Sequence, residues 1–177
     1  VIISGADQAD RLIIDFSNPF SNPISYEDMS DGDGDTLEVV GGDNIWNITG
    51  PNAGNVGDVN FSSIENLVGG ADNEDTFTFE DGGTLSGLID GGEGGYDSLV
   101  VDGGTYTNVI YTVTGPDSGV IDLDGKIISY AGLEPVDLST DADHLEFNTH
   151  LDPTDTTSDK FQLVDAGSGK TTLDSVN

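Results

Sequence analysis

Asp35-Thr36-Leu37-Glu38-Val39, Asp75-Thr76-Phe77-Thr78-Phe79 and Asp97-Ser98-Leu99-Val100-Val101 state one pattern three times: an aspartate, then apolar residues at the second and fourth positions after it. Asp10-Arg11-Leu12-Ile13-Ile14, Asp143-His144-Leu145-Glu146-Phe147 and Asp159-Lys160-Phe161-Gln162-Leu163 bring the count to six. Strand side chains alternate between faces, so each apolar pair points one way and the aspartate shares its parity at the strand entrance. A carboxylate there has three uses: turning back on the entering chain, accepting from backbone N–H groups, or holding a cation. One strand type written six times is the mark of a chain built by repetition.

Composition supports strands. Gly supplies 25 of the 177 residues, and few stretches escape it long enough for three helical turns, whereas Val, Ile, Leu and Phe total 47. That apolar content suffices for a thin core. The formal charge is −30, from 34 acidic residues against Arg11, Lys126, Lys160 and Lys170. Of the acids 26 are Asp, the residue of turns and short oxygen-ligand loops. So few cations exclude nucleic acid as a partner. Cysteine is absent, which removes disulfides and thiolate metal sites and leaves Ca²⁺ as the expected staple. No segment has the length of a membrane span, so no membrane insertion is expected. The chain opens in mid-pattern on Val1-Ile2-Ile3 and reads as an excised or processed piece of something larger.

A longer self-similarity sets the organisation. Ile48-Thr49-Gly50-Pro51-Asn52-Ala53-Gly54 returns 65 positions later as Val113-Thr114-Gly115-Pro116-Asp117-Ser118-Gly119, with Trp46 and Tyr111 ahead of the two turns. Residues 31–90 and 91–150 are therefore read as two repeat units. Residues 1–30 read as the end of a preceding unit, and 151–177 as a cap or the start of the next. The expected fold is all-β, a parallel β-solenoid of β-helix type with Gly/Asp-rich turns, within one elongated domain spanning 1–177. A β-sandwich or tandem small β-domains is the alternative, because strands at this spacing also suit those folds.

The acidic clusters are candidate cation ligands, since Ca²⁺ takes six to eight oxygens at short range. The densest is Asp31-Gly32-Asp33-Gly34-Asp35, with Asp28 just upstream; Asp72, Asn73 and Asp75 form a second, and Asp90, Glu93 and Asp97 a third. Each has a plainer reading, in which the carboxylate closes an Asx-turn on its own backbone. Asp31-Gly32-Asp33-Gly34-Asp35 is no EF-hand, because Thr36 and Gly42 occupy the positions that motif reserves for Gly and a bidentate Glu. Tyr96 and Tyr106 lie in Gly-rich loops and are the candidate ligand-contact aromatics; Trp46 and Tyr111, at equivalent repeat positions, are expected in the core or stacked. With 34 acids, carboxylate pairs carry no catalytic signal, and no catalytic residue is assigned.

Ile64-Glu65-Asn66-Leu67-Val68-Gly69-Gly70-Ala71-Asp72-Asn73-Glu74-Asp75-Thr76-Phe77 resembles a phrase of very large bacterial surface and secreted proteins that accompanies RTX, haemolysin-type calcium-binding repeats. Gly91-Gly92-Glu93-Gly94-Gly95-Tyr96-Asp97-Ser98-Leu99 resembles the RTX nonapeptide. Tyr130-Ala131-Gly132-Leu133-Glu134-Pro135-Val136 is similar to the close of adhesin-like repeats. In both Gly-Gly blocks one extra residue precedes the Asp, and no two nonapeptides adjoin, which departs from a regular calcium β-roll. What the resemblance implies is class and compartment: an extracellular or bacterial cell-surface protein, distantly RTX-like, calcium-binding and adhesin-like. The expectation is a non-enzymatic structural or adhesive module of a surface protein or filament. It would associate end to end with itself or with other surface proteins and glycans. The alternatives are an accessory export or folding region of a secreted hydrolase or lyase, and a carbohydrate-binding module.

Overall fold

A computed structural model describes residues 1–6, 8–18, 20–29 and 32–148, and the backbone of residues 161–167 and 170–175. The described residues are all-β, with fourteen strands, numbered along the chain, joined in one large mixed sheet that does not close on itself. Three parallel ladders make up most of it. The first comprises β1 (Ile2–Ser4), β3 (Ile24–Glu27) and β7 (Val59–Ser62). The second runs β2 (Arg11–Asp15), β4 (Thr36–Val40), β8 (Asn66–Val68), β10 (Leu88–Asp90) and β13 (Lys126–Ala131). The third runs β5 (Ile45–Gly50), β9 (Thr76–Phe79), β11 (Ser98–Gly115) and β14 (Val136–Asn148).

Two antiparallel excursions link the ladders. From β5 the chain turns through β6 (Ala53–Val56) into β7, and from β11 through β12 (Ser118–Leu123) into β13. Both begin at a Thr-Gly-Pro turn with a two-residue loop, Pro51-Asn52 or Pro116-Asp117, in which proline presets the first φ. The register irregularity falls at the same place in each, between Ile48 and Gly50 and between Val113 and Gly115. β15 (Phe161–Gly167) and β16 (Lys170–Ser175) form a separate antiparallel pair.

Parallel pairing in register stacks like on like. Leu12, Leu37, Leu67, Ile89 and Tyr130 lie opposite one another along the second ladder. Trp46, Phe77, Leu99 and Val136 do so along the third, followed one pleat on by Ile48, Phe79, Val101 and Leu138. The Trp46 and Phe77 rings stack at 5.1 Å between centroids, and both side chains are fully buried. The apolar pairs Leu37/Val39, Phe77/Phe79 and Leu99/Val101 all enter one core, which Ile14 and Leu12 join from the first copy of the motif. The fifth copy behaves differently. Leu145 is 61% exposed, and Phe147 packs edge-on against Tyr111 at 5.0 Å. Its stretch of β14 pairs with the part of β11 beyond the bulge at Asp102–Thr105, past the end of the pairing with β9. The sixth copy's side chains lie outside the described residues.

Phe77→Ala removes a fully buried ring from the middle of the third stack and is expected to cost about 3–5 kcal/mol in chemical denaturation. Leu145→Ala, at the matching motif position of the exposed copy, is expected to stay within about 0.5 kcal/mol of the parent.

Candidate functional site

The register that stacks the apolar residues also lines up what precedes each strand. Asp10, Asp35 and Glu65 stand at the entrances of β2, β4 and β8, and Asn44, Asp75 and Asp97 at those of β5, β9 and β11. Asp35, Glu65, Asp75 and Asp97 each reach to the neighbouring strand and accept the entrance N–H there, whereas Asp10 Oδ2 accepts from Ala6 N–H at 2.7 Å. Asp35 Oδ1 accepts from Asp10 N–H at 2.6 Å, and Glu65 Oε2 from Asp35 N–H at 2.9 Å. Asp75 Oδ1 accepts from Asn44 N–H, and Asp97 Oδ1 from Asp75 N–H, each at 2.7 Å. Asp35, Asn44, Glu65, Asp75 and Asp97 are buried, Asp35 and Asp75 with no exposed surface, so an unmet N–H there would carry its full desolvation cost.

Glu65 organises the acidic loop after β3. Its Oε1 accepts from Gly32 N–H and Asn52 Nδ2, and its Oε2 from Gly34 N–H as well as Asp35 N–H. Gly32 and Gly34 take φ of 94° and 98°, a region that glycine enters without the clash a side chain meets, so the loop can wrap the carboxylate. Asp28, which follows β3 directly, is buried beside the loop. Asp10, Asp28 and Asp35 each offer a carboxylate oxygen within 4.8 Å of the others, and Asp33, Asp35 and Glu65 form a second such group that shares Asp35. Burial pushes the Asp35 carboxyl above the usual range, and the charges of Asp28, Asp33 and Glu65 push the same way, against the lowering bond from Asp10 N–H. Tyr26, buried on β3, has its hydroxyl pushed up to about 12, first by burial and then by the charges of Asp35, Asp10, Asp28 and Asp33.

The predicted ligands distribute as follows. Asp33 and Asp35 fall inside the paired carboxylate groups, and Asp31 lies outside the described residues. Asp75 is filled by internal donors: Asn44 N–H, Asn44 Nδ2 and Asn73 Nδ2 on Oδ1, and Gly70 N–H on Oδ2. Asn73 spends its other amide hydrogen on the Gly42 carbonyl at 2.7 Å. Asp97, its carboxyl pushed up by burial, serves Asp75 N–H, while Asp90 Oδ1 accepts from Gly92 N–H at 3.0 Å. Asp72, with a φ of 56°, and Glu93 are exposed and meet through their backbones. Neither they nor Asp90 and Asp97 belong to the carboxylate groups named above.

Sequence reasoning missed Asp10 and Glu65 as members of the cluster. Asp10 heads the first copy of the strand motif, and Glu65-Asn66-Leu67 is the beginning of that motif with Glu for Asp, Gly69 standing at its second apolar position. Tyr96 is 60% exposed and borders a cleft of about 170 Å³ with Asp97, Asp117, Gly132 and Glu134. Tyr106 corrects the expectation of an exposed contact aromatic: it is 7% exposed. The bulge at Gly103-Gly104 lets its ring fold back over Gly104, where a Cβ would meet the Tyr106 hydroxyl at 2.6 Å, and Lys126 Nζ sits 5.8 Å from the ring centroid. Trp46 is in the core, and Tyr111 is half-buried with its hydroxyl 2.6 Å from that of Tyr130.

A scan against protein-family models, a search of curated proteins and a search of solved structures each return no match. Among the described residues no helix is long and apolar enough to cross a membrane.

Asp75→Ala strips the acceptor from four donors and is expected to destabilise by about 2–4 kcal/mol in urea, against less than about 0.5 kcal/mol for Asp102→Ala on the exposed bulge. The Asp124 carboxylate accepts from Thr107 and Asn108 N–H groups, and these bonds lower its pKa. A lowered carboxylate pKa contributes stability above the ordinary value, lost as pH falls through the depressed one. Denaturation midpoints of Asp124→Asn should therefore fall less than the parent's on acidification below about pH 4.

Proposed function

We propose that this chain is a non-catalytic structural or adhesive repeat module of an extracellular or bacterial surface protein, coiled as a parallel β-solenoid. The observation that carries the reading is the clamp at the strand entrances. Carboxylates serve N–H groups 25, 30, 31 and 22 residues away, always on the strand next in the ladder. Such spacing is that of successive rungs, each contacting mainly its neighbours and adding the same stacked core. Rungs locked at both backbone and entrance resist sliding, which suits a spacer under tension. The absence of disulfides leaves that load to hydrogen bonds and packing.

Self-association is part of the proposal. β1 and β2 end the sheet path, and Ile2 and Ile13 on them are 70% and 56% exposed. An edge strand offers unpaired N–H and C=O groups to a further strand, so end-to-end pairing with a second copy or another surface protein is the natural mode. A carbohydrate-binding reading has one observation in its favour, the exposed Tyr96 beside its cleft, and it predicts glycan-array binding lost in Tyr96→Ala.

Single-molecule pulling tests the rung architecture. Sequential release should give increments of about 8–11 nm, the extended length of one rung of 22 to 31 residues. A single all-or-none extension of the whole chain would overturn the solenoid spacer in favour of a sandwich-like body.

A further inference from the structure

We propose that Asp10, Asp28, Asp33 and Asp35 form a binding site for one Ca²⁺ ion beside the Tyr26 hydroxyl. Within Asp10, Asp28 and Asp35, and again within Asp33, Asp35 and Glu65, the carboxylates offer oxygens within 4.8 Å of one another, and Asp35 belongs to both triads. Ca²⁺ binds oxygen at about 2.3–2.6 Å, so two ligands of one ion stand up to about 4.6–5.2 Å apart, whereas Mg²⁺ at about 2.0–2.1 Å draws them to about 4.2 Å. Oxygens within 4.8 Å of one another can share one Ca²⁺ ion.

A cluster of acids is common on so acidic a chain, but two buried atoms here make this one different. Asp35 has no exposed surface; its Oδ1 accepts the Asp10 N–H, and its Oδ2 accepts nothing. Tyr26 is 2% exposed and its hydroxyl has no hydrogen-bond partner, although the charges of Asp35, Asp10, Asp28 and Asp33 act on it. Buried polar atoms in folded proteins are almost always satisfied, and here both orphans sit among the same carboxylates. Arg11, which follows Asp10, is committed to Glu38 on β4 and leaves the cluster to another cation. A hard divalent ion would satisfy Asp35 Oδ2 and offset the mutual repulsion of the carboxylates.

Glu65, already holding four donors, acts as a positioning residue that shapes the loop carrying Asp33 and Asp35. Gly5 completes the cradle, because a Cβ there would collide with Asp28 Oδ1 and stand 3.1 Å from Asp10 Oδ2. The ion would tie the entrance of β2, the end of β3 and the loop before β4, joining the first two ladders. It thus adds to the structural reading a staple that Cys-free chains lack.

The test is calorimetric titration of the chelator-treated full chain with Ca²⁺, thermal melting with and without it, and Tb³⁺ luminescence excited through tyrosine. One saturable site in the range of about 0.1–1 mM or tighter is expected, with a midpoint rise of roughly 5–10 °C at saturation. Asp28→Asn and Asp33→Asn should each weaken Ca²⁺ at least about tenfold, the loss of one charged ligand. Asp35→Asn should do the same, with circular dichroism checking that the variant folds. Tyr26→Phe should remove most of the sensitised Tb³⁺ emission. Asp72→Asn and Asp90→Asn should bind as the parent does. The site is overturned by no saturation up to about 10 mM, well above the range of extracellular modules. It is overturned equally by Asp28→Asn and Asp33→Asn binding like the parent, or by loss of binding in Asp72→Asn or Asp90→Asn. Stepwise extension in pulling without Ca²⁺ binding removes the site and keeps the spacer; Ca²⁺ binding with all-or-none extension does the reverse.

Discussion

A buried N–H at the entrance of a parallel strand has to find an acceptor, and in this chain it finds a carboxylate one strand away. Asp10, Asn44 and Asp75 each donate to the aspartate in register on the next strand, and Asp35 donates to Glu65. A slip of one residue would turn every side chain of a strand to the other face and leave both the N–H and the carboxylate buried without partners. The clamp and the apolar stack therefore enforce the same register. Neither would do so alone: an apolar stack tolerates exchange between similar residues, whereas a charge-assisted bond is short and directional.

The same arrangement concentrates charge. A chain carrying −30 would be expected to hold its acids in solvent, yet Asp28, Asp35, Glu65, Asp75 and Asp97 are buried. Where the internal donors are sufficient, as around Asp75, the carboxylate is absorbed into the backbone. Where they fall short, as at Asp35, burial and neighbouring charge raise the carboxyl and Tyr26 beside it. The two entrance lines thus share a construction and differ in how completely their oxygens are matched, which is the physical reason to place a cation at one and not the other.

The antiparallel excursions serve a separate purpose. Both Thr-Gly-Pro turns lead the chain out of the third ladder, but the first returns it to β7 in the first ladder and the second to β13 in the second. Near-identical local sequence therefore produces identical hairpins with different destinations. The long β11 carries this further: its first half pairs with β9 in the third ladder, and its second half, beyond Gly103-Gly104, pairs with β12 and β14 while Tyr106 and Val109 on it stay buried.

Strand identity, facing and turn chemistry were legible in the residues themselves. The pattern of Asp followed by alternating apolar positions is local, and Leu37/Val39, Phe77/Phe79 and Leu99/Val101 face the core as alternation requires. The likeness of the two Thr-Gly-Pro segments is also local, and so are their hairpins. The sequence could not set which strand lies beside which, because that depends on connections of unequal length and on the stacking gained across them. Hence Glu65 joins Asp33 and Asp35 through a neighbour 30 residues away, Leu145 is exposed despite sitting in the motif, and Tyr106 is buried over a glycine bulge. Composition made this chain a β protein rich in oxygen ligands. Tertiary register alone decided which of those oxygens met an N–H and which were left for something else.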